Sequence, residues 1–229
     1  LLMENNSQII ELLKGKTATK QEVFHRVSVH FESFKEHLRK IALQYQEESL
    51  KIDSRIGIAF SSRGNYDAKL KFGGDTLLFH MHTNVFSFDE QHPIWNWGYV
   101  KENPPRAYCG MINVYNFLSD SFKFNRVNDA GYLIARIFIN KDNHFFVEGK
   151  RKLGFRFNNF GSDVFNTNAL NSIIEECILY SLEFDLLTPG FNAMQRVSIS
   201  QIMELTKNMK LTTDKRLGFR FNYENVPPK

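Results

Sequence analysis

Cysteine and long apolar runs are both scarce in this sequence. Its two cysteines, Cys109 and Cys177, are too few for a disulfide framework, so we expect a reducing, cytoplasmic compartment. A transmembrane helix would need roughly 18 consecutive apolar residues, and no such run occurs. The first residues also lack the basic leader and apolar stretch of a secretory signal. The sequence therefore predicts a soluble cytoplasmic protein with no membrane partner.

The net charge of +4 and the isoelectric point near 9.0 make the chain mildly basic. This balance permits nucleic acid or another polyanion as a partner without requiring one. The unusual feature of the composition is its 22 phenylalanines. Phenylalanine is among the residues most often buried, so core filling is favoured over a stacking surface.

The N-terminal region predicts two helices with a break between them. A short helix at about 6–13 is followed by the polar stretch GKTATK, and Thr19 and Glu22 then have the spacing of a capping box. An apolar stripe follows at alternating spacings of three and four, which predicts one long helix over 18–48: Phe24, Val27, Phe31, Phe34, Leu38, Ile41 and Tyr45. This stripe would cover the chain's own sheet or, alternatively, form the seam of a homodimer.

From position 55 the apolar period changes to two, which is typical of strands. The predicted strands are RIGIAF, YDAKLKF, DTLLFHMH, AYCGMINVY, YLIARIFIN, HFFVEG and LGFRF. The aromatic segment 86–107 between them is predicted to be a long loop over a small satellite core, or else a lid or stacking surface. Two helices, at about 168–184 and 198–208, are predicted after the strands.

This order of elements predicts an α+β protein rather than alternating α/β units. Its mainly antiparallel sheet would carry the long N-terminal helix and the two C-terminal helices. Residues 1–17 would be a helical extension, and residues 18–229 a single domain.

The hexapeptide LGFRFN occurs twice, at 153–158 and at 217–222. If both copies are strands, Leu153, Phe155 and Phe157 share a core face and Arg156 faces the other way, as would the same residues of the second copy: Leu217, Phe219, Phe221 and Arg220. A basic cluster precedes each copy. These clusters are the candidates for contact with a nucleic-acid backbone: Lys150, Arg151, Lys152, Lys215 and Arg216.

His80 and His82 lie two apart on a predicted strand and so share a face. Two imidazoles in this arrangement could hold a metal ion with one further ligand, for which His92, Asp89 and Glu90 are candidates. Two polar histidines on a solvated strand face are the alternative interpretation.

A second candidate site combines Asp129 with Glu148 and Lys150. Asp129 opens a predicted strand, and the partner strand of the hairpin ends at Glu148, with Lys150 two residues further on the same face. Asp129 and Glu148 could hold Mg²⁺ or Mn²⁺, which would polarise a phosphodiester and activate water, while Lys150 would stabilise the developing charge.

This arrangement resembles the D…E-x-K core of the PD-(D/E)XK nuclease superfamily. The resemblance covers about twenty-two residues closely and the remainder only as an order of elements. It implies metal-dependent cleavage of DNA or RNA and a preceding helix that carries acids, here Glu32 and Glu36. Asn128 stands where the superfamily often has proline, and the extra strands before Asp129 are unusual for it.

Two classes of function remain from the sequence. We favour a non-catalytic binding or assembly module that uses the long helix or the aromatic loop as its contact surface. The alternative is a metal-dependent nuclease. The arrangement of Asp129, Glu148 and Lys150 in the folded chain discriminates between them.

Overall fold

A computed structural model describes residues 2–185, 191–194, 196 and 198–200. Six antiparallel strands form one sheet in the order in which they follow one another along the chain. They are β1 (Ile58–Ser61), β2 (Asp67–Phe72), β3 (Asp75–Met81), β4 (Cys109–Leu118), β5 (Tyr132–Asn140) and β6 (Phe145–Gly149). The predicted α+β class and antiparallel sheet are confirmed.

The helical elements before and beside the sheet are α1 (Leu2–Leu12), α2 (Ala18–Ile52), α3 (Gly98–Glu102), α4 (Ser119–Lys123), α5 (Lys152–Arg156) and α6 (Thr167–Leu182). A π-helical turn at Leu13–Thr17 joins α1 to α2. Single 3₁₀ turns occur at Pro93–Asn96, Pro104–Ala107 and Phe191–Met194. None of the helices in the described part of the chain has both the length and the apolar character that a membrane crossing requires.

The predicted break at GKTATK is wrong, because the helical backbone continues from α1 through the π turn into α2. Thr19 does not cap a helix. Its hydroxyl donates to the carbonyl of Gly15 at 2.9 Å, the back-bond that serine and threonine make inside helices. Glu22 likewise accepts from Arg26 one turn later, at 2.8 Å. Residues 5–17 are exposed, so this part of the run lies outside the core.

Helix α2 spans 35 residues and buries its apolar stripe against the sheet. The deeply buried positions on α2 are Val23, Val27, Phe31, Phe34, Leu38 and Ala42, and Phe24 and Ile41 pack beside them. Tyr45 differs from expectation in being 43% exposed. Because the chain's own sheet covers most of the stripe, little of it is left to form a seam. A homodimer through 18–48 stays a prediction.

Helix α6 begins at a capped N-terminus, since the side chain of Asn166 accepts from the backbone N–H of Ala169 at 3.0 Å. Its buried residues Ile173, Ile174 and Cys177 join the same core as α2. Both cysteines are fully buried, and burial raises the pKa of each thiol. The second predicted C-terminal helix was placed at about 198–208. Its residues from 201 onward lie outside the described part of the chain.

The first LGFRFN copy is not a strand, which corrects the prediction for 153–157. Residues 152–156 form the short helix α5, and the backbone turns into it at Arg151, whose φ is +49°. In a helix, Leu153 and Phe157 lie four apart on one face and Phe155 points away. Leu153 and Phe157 are accordingly buried, whereas Phe155 is 71% exposed. The second copy, at 217–222, lies outside the described residues.

Candidate binding face of the sheet

The two faces of the sheet have different surroundings. On the inner face, side chains of all the strands from β2 to β6 pack beneath α2 and α6, including Leu70, Phe79, Ile112, Ile137 and Val147. Successive residues of a strand point to opposite faces, so the residues between these form the outer face. No long helix of the described residues lies over that face, and it is where these residues present polar and aromatic groups together.

The aromatic loop 86–107 covers one end of the outer face. Its residues Ile94, Val100 and Ala107 form a second core with Phe138 and Phe146 of the sheet. Trp97 meets Phe146 edge to face, with ring centroids 5.4 Å apart. The prediction of a satellite core beneath this loop is therefore confirmed. The loop packs on the part of the outer face formed by Cys109, Met111, Phe138 and Phe146.

A cleft of about 630 Å³ lies at the opposite end of the outer face. Strands β1 and β2, the Gly73–Gly74 turn and α4 form its walls. Its basic and aromatic lining residues are Lys69, Lys71, Lys123, Arg126 and Phe122, and its acidic lining residue is Asp120. Lys69 and Lys71 are two apart on β2, and α4 places Phe122 and Lys123 across from them.

The charges around this cleft are unbalanced. Within the described residues, Lys69, Lys71 and Lys123 form no ion pair with a carboxylate. Arg126 differs, because its Nε lies 2.9 Å from the Asp129 carboxylate and both side chains are nearly buried. Three ammonium groups against the one Asp120 carboxylate give the cleft an excess of positive charge.

An aromatic path connects the cleft to the middle of the outer face. Phe122 packs edge to face against Phe117 at 5.3 Å between centroids, and Phe117 lies 6.4 Å from Tyr115. The ammonium of Lys69 lies 4.1 Å from the centre of the Phe122 ring, within the range of a cation–π contact. Phe122 is 39% exposed, and Tyr115 is half-buried.

A row of polar residues crosses the outer face next to this path. The row follows directly paired positions from β2 to β6: Asp67, His80, Asn113, Arg136 and Glu148. Facing residues on neighbouring strands lie close enough for their side chains to interact. Glu148 forms an ion pair with Arg136, its cross-strand neighbour.

His92 of the aromatic loop completes this row at the β6 edge. Its Nδ1 accepts from the backbone N–H of Ile94 at 3.2 Å, so in the neutral ring the proton is on Nε2. Nε2 then donates to Oε1 of Glu148 at 3.4 Å, a long hydrogen bond. Glu148 is therefore held by two donors, one from β5 and one from the loop.

The structure does not bring Asp129 and Glu148 together. Asp129 precedes β5, which begins at Tyr132, so the expectation that Asp129 opens the strand is wrong. It binds Arg126 and accepts from the Ser121 hydroxyl at 2.6 Å, close to the basic cleft. Glu148 pairs with Arg136, four residues into β5, or about 13 Å along the strand from its start. Lys150 is exposed just beyond β6.

The structure places the two candidate histidines in different surroundings. His82 Nδ1 accepts from the backbone of Asn84 at 3.0 Å, and its ring packs against Phe86. His80 belongs to the polar row. Of the candidate third ligands, His92 binds Glu148. The Asp89 carboxylate accepts a hydrogen bond from the backbone N–H of Gln91. Glu90 is exposed in the loop. Across the residues that the structure describes, no three His, Cys, Asp or Glu side chains form a group that could hold a metal ion.

In the basic cluster at 150–152, Arg151 has an acidic partner at the C-cap of α6. Arg151 binds Glu183 at 2.8 Å and lies over the ring of Tyr180, so its charge is already matched. Lys150 and Lys152 line a hollow of only about 50 Å³. This is far smaller than the basic cleft. Lys215 and Arg216 lie outside the described residues.

The residues of the basic cleft did not emerge from the sequence as a site. The alternation in YDAKLKF does place Lys69 and Lys71 on one face, and FKFNR puts Lys123 beside two phenylalanines. However, β2 and α4 are some fifty residues apart in the chain. No local pattern indicates that they meet.

Comparison with known proteins gave no relative: no family model, no curated protein and no solved structure matches this chain.

Proposed function

We propose that this chain is a non-catalytic binding module that takes nucleic acid on the outer face of its sheet. The observation that supports this function is a set of three lysines around one cleft, Lys69, Lys71 and Lys123, which have no carboxylate partner among the described residues. An ammonium that is already paired gains little from a phosphate, whereas an unpaired one releases counterions from the nucleic acid when it binds. The basic cleft is therefore the place where a phosphate backbone gains most.

Catalysis is not part of this proposal. Glu148 is neutralised by Arg136, and Asp129 by Arg126. A carboxylate with a guanidinium partner must give up that pair before it can ligate a metal ion, and the Asp129 pair is almost completely buried. Binding through lysines requires no such rearrangement.

Salt dependence gives the first test. Three phosphate contacts to a single strand predict a slope of about −2 in a plot of log affinity against log salt concentration. Raising salt fourfold should then weaken binding about 20-fold. Fluorescence anisotropy of a labelled oligonucleotide over a salt series measures this slope. If neither single- nor double-stranded oligonucleotide binds at low salt, the proposal is wrong.

Charge reversal locates the contact. The double variant Lys69→Glu, Lys71→Glu should abolish most of the affinity and flatten the salt slope. The matched control is Lys40→Glu, Lys101→Glu, which makes the same change in net charge at exposed positions of α2 and α3. Equal losses in both variants would show that binding follows net charge rather than the cleft, and would overturn the proposed site.

A further inference from the structure

We infer that the outer face binds single strands in preference to duplexes, with an unpaired base stacked on Phe122. This inference rests on the proposed function and specifies the form of nucleic acid. The observation behind it is the aromatic path beside the lysines. Phe122, Phe117 and Tyr115 follow one another in ring contact from the basic cleft toward the middle of the sheet. Lysines that only attract phosphates would not need these rings.

Phe122 is the accessible ring in the path. It is 39% exposed and is fixed by its edge-to-face contact with Phe117. Phe117 is in turn held in place by Gly131, because a Cβ at position 131 would overlap the Phe117 ring. A phenyl ring that is held by a neighbouring ring and partly exposed is a suitable surface for a planar base once the ammonium over it is displaced.

The ammonium of Lys69 covers the Phe122 ring in the free protein, at 4.1 Å from its centre. An exposed cation–π contact contributes less free energy than the stacking of one base on an aromatic side chain. A base can therefore displace the ammonium. Lys69 remains within reach of the same cleft, where it can bind the adjoining phosphate. The exchange replaces one contact with two.

A duplex cannot use this surface in the same way. Its bases are stacked on each other, so their faces are not available to a protein ring, and only phosphates and groove edges are presented. A single strand offers both the phosphate for the lysines and the base face for Phe122. The polar row beside the path adds one partly exposed hydrogen-bonding group, His80, whereas its strand neighbour Asn113 is buried.

The experiment compares three ligands by anisotropy or competition: a single-stranded DNA, the same sequence as a duplex, and heparin, a polyanion without bases. We expect the single strand to bind about tenfold tighter than the duplex at equal salt. Phe122→Ala should weaken single-strand binding about tenfold and leave heparin binding unchanged. The matched control is Phe155→Ala, because Phe155 is an exposed phenylalanine on α5, away from the cleft residues.

Phe122→Leu keeps an apolar side chain against Phe117 but removes the aromatic face, so it separates stacking from folding. It should retain the circular dichroism spectrum of the wild type and lose single-strand affinity as Phe122→Ala does. Phe122→Trp keeps an aromatic face, so it should bind single-stranded DNA at least as tightly as the wild type does.

The two proposals fail in different ways. If no ligand binds, the proposed function itself is wrong. If all three bind equally, and the Phe122 variants match the wild type while Lys69→Glu, Lys71→Glu does not, then the basic cleft binds polyanions and the single-strand inference is overturned. A duplex preference overturns it as well.

Discussion

Gly110 of β4 lies directly beneath Val27 of α2, and a Cβ at position 110 would come within 2.6 Å of the Val27 Cγ2 atom. Both residues are fully or nearly fully buried. This contact lets the long helix approach the sheet closely at its centre. Any side chain at position 110 would have to push α2 away from the inner face.

The first prediction concerns this contact. Gly110→Ala should lower the free energy of unfolding by about 1–3 kcal/mol, because an extra methyl overfills a packed core. Val27→Ala should also destabilise, by leaving a cavity. The double variant should be more stable than the sum of the two losses predicts, since each change makes room for the other. Urea unfolding measures all three.

The control for this cycle is Gly98→Ala at the start of α3. A Cβ there meets nothing within 4 Å, so the change should stay within about 0.5 kcal/mol of the wild type. Strict additivity of Gly110→Ala and Val27→Ala would contradict the close contact between the two residues.

The second prediction distinguishes helix from strand in the first LGFRFN copy. Phe157→Ala should cost about 3–5 kcal/mol because Phe157 is buried in the main core, while Phe155→Ala should change stability by less than about 0.5 kcal/mol. A strand would bury both residues on one face and make the two losses similar. Urea unfolding of the two variants side by side is sufficient, and comparable losses would contradict helix α5.

The sequence of the first LGFRFN copy does not distinguish a helix from a strand. Apolar residues at 153, 155 and 157 match a strand, but 153 and 157 alone match a helix, and five residues are too few to separate the two periods. Longer segments were predictable. β5 and the stripe of α2 repeat their period often enough to define both the element and its buried face.

The candidate site was harder to predict, because it depends on contacts between distant segments. Glu148 was correctly placed near the end of a strand, whereas Lys150 lies just beyond it. The chemistry of Glu148 depends on Arg136 and His92, which only the sheet register and the loop bring near. Nothing in the sequence near Asp129 indicates that Arg126 and Ser121 bind it. Side-chain pairing of this kind is a property of the folded chain.

The third prediction concerns the Arg126–Asp129 pair. Asp129→Asn removes one charge of a pair in which both side chains are nearly buried, so it should destabilise the fold by about 3–5 kcal/mol. The control is Glu22→Gln, which breaks the exposed Arg26–Glu22 pair on α2 and should cost less than about 0.5 kcal/mol. Thermal or urea unfolding measures both. Equal losses of stability in the two variants would mean that the Arg126–Asp129 pair is not buried.

Metal addition to the same protein tests the nuclease hypothesis. If Asp129 and Glu148 bound a cation, Mg²⁺ or Mn²⁺ would stabilise the fold by about 2.7 kcal/mol at a hundred times the dissociation constant. We expect no shift in melting temperature, because each carboxylate already holds a guanidinium. A rise with Mn²⁺ that Glu148→Gln abolishes, together with cleavage of DNA or RNA, would establish the enzyme instead.

The last prediction concerns Tyr99, whose ring in the aromatic loop stacks on His144. Its hydroxyl donates to Asp142 at 2.9 Å and accepts from Asn140 at 3.0 Å. Burial is the largest influence on this phenol and raises its pKa to about 12, with the Asp142 carboxylate adding to the effect and the Asn140 hydrogen bond opposing it. In the unfolded chain the pKa of tyrosine is about 10.

The sign of the pH dependence follows from this difference. Below about pH 10 the phenol is neutral in both states and its ionisation does not affect folding. Between pH 10 and about 12 the unfolded chain releases the proton while the folded chain keeps it, so the wild type loses stability as pH rises. Tyr99→Phe has no such proton to release, although it loses two hydrogen bonds, which cost about 1 kcal/mol each at neutral pH.

Tyr99→Phe should therefore be clearly less stable than the wild type at about pH 8, and the gap should narrow at about pH 11. Urea unfolding at both pH values measures the two gaps, and ionisations common to both proteins cancel in the difference. Trp95→Phe is the matched control, because it lies in the same loop, loses the hydrogen bond to the Asp89 carbonyl and does not titrate. Its gap should be the same at both pH values. A Tyr99→Phe gap that stays constant as well would show that the phenol ionises equally readily in the folded and unfolded chain, and that the aromatic loop does not shield it from water.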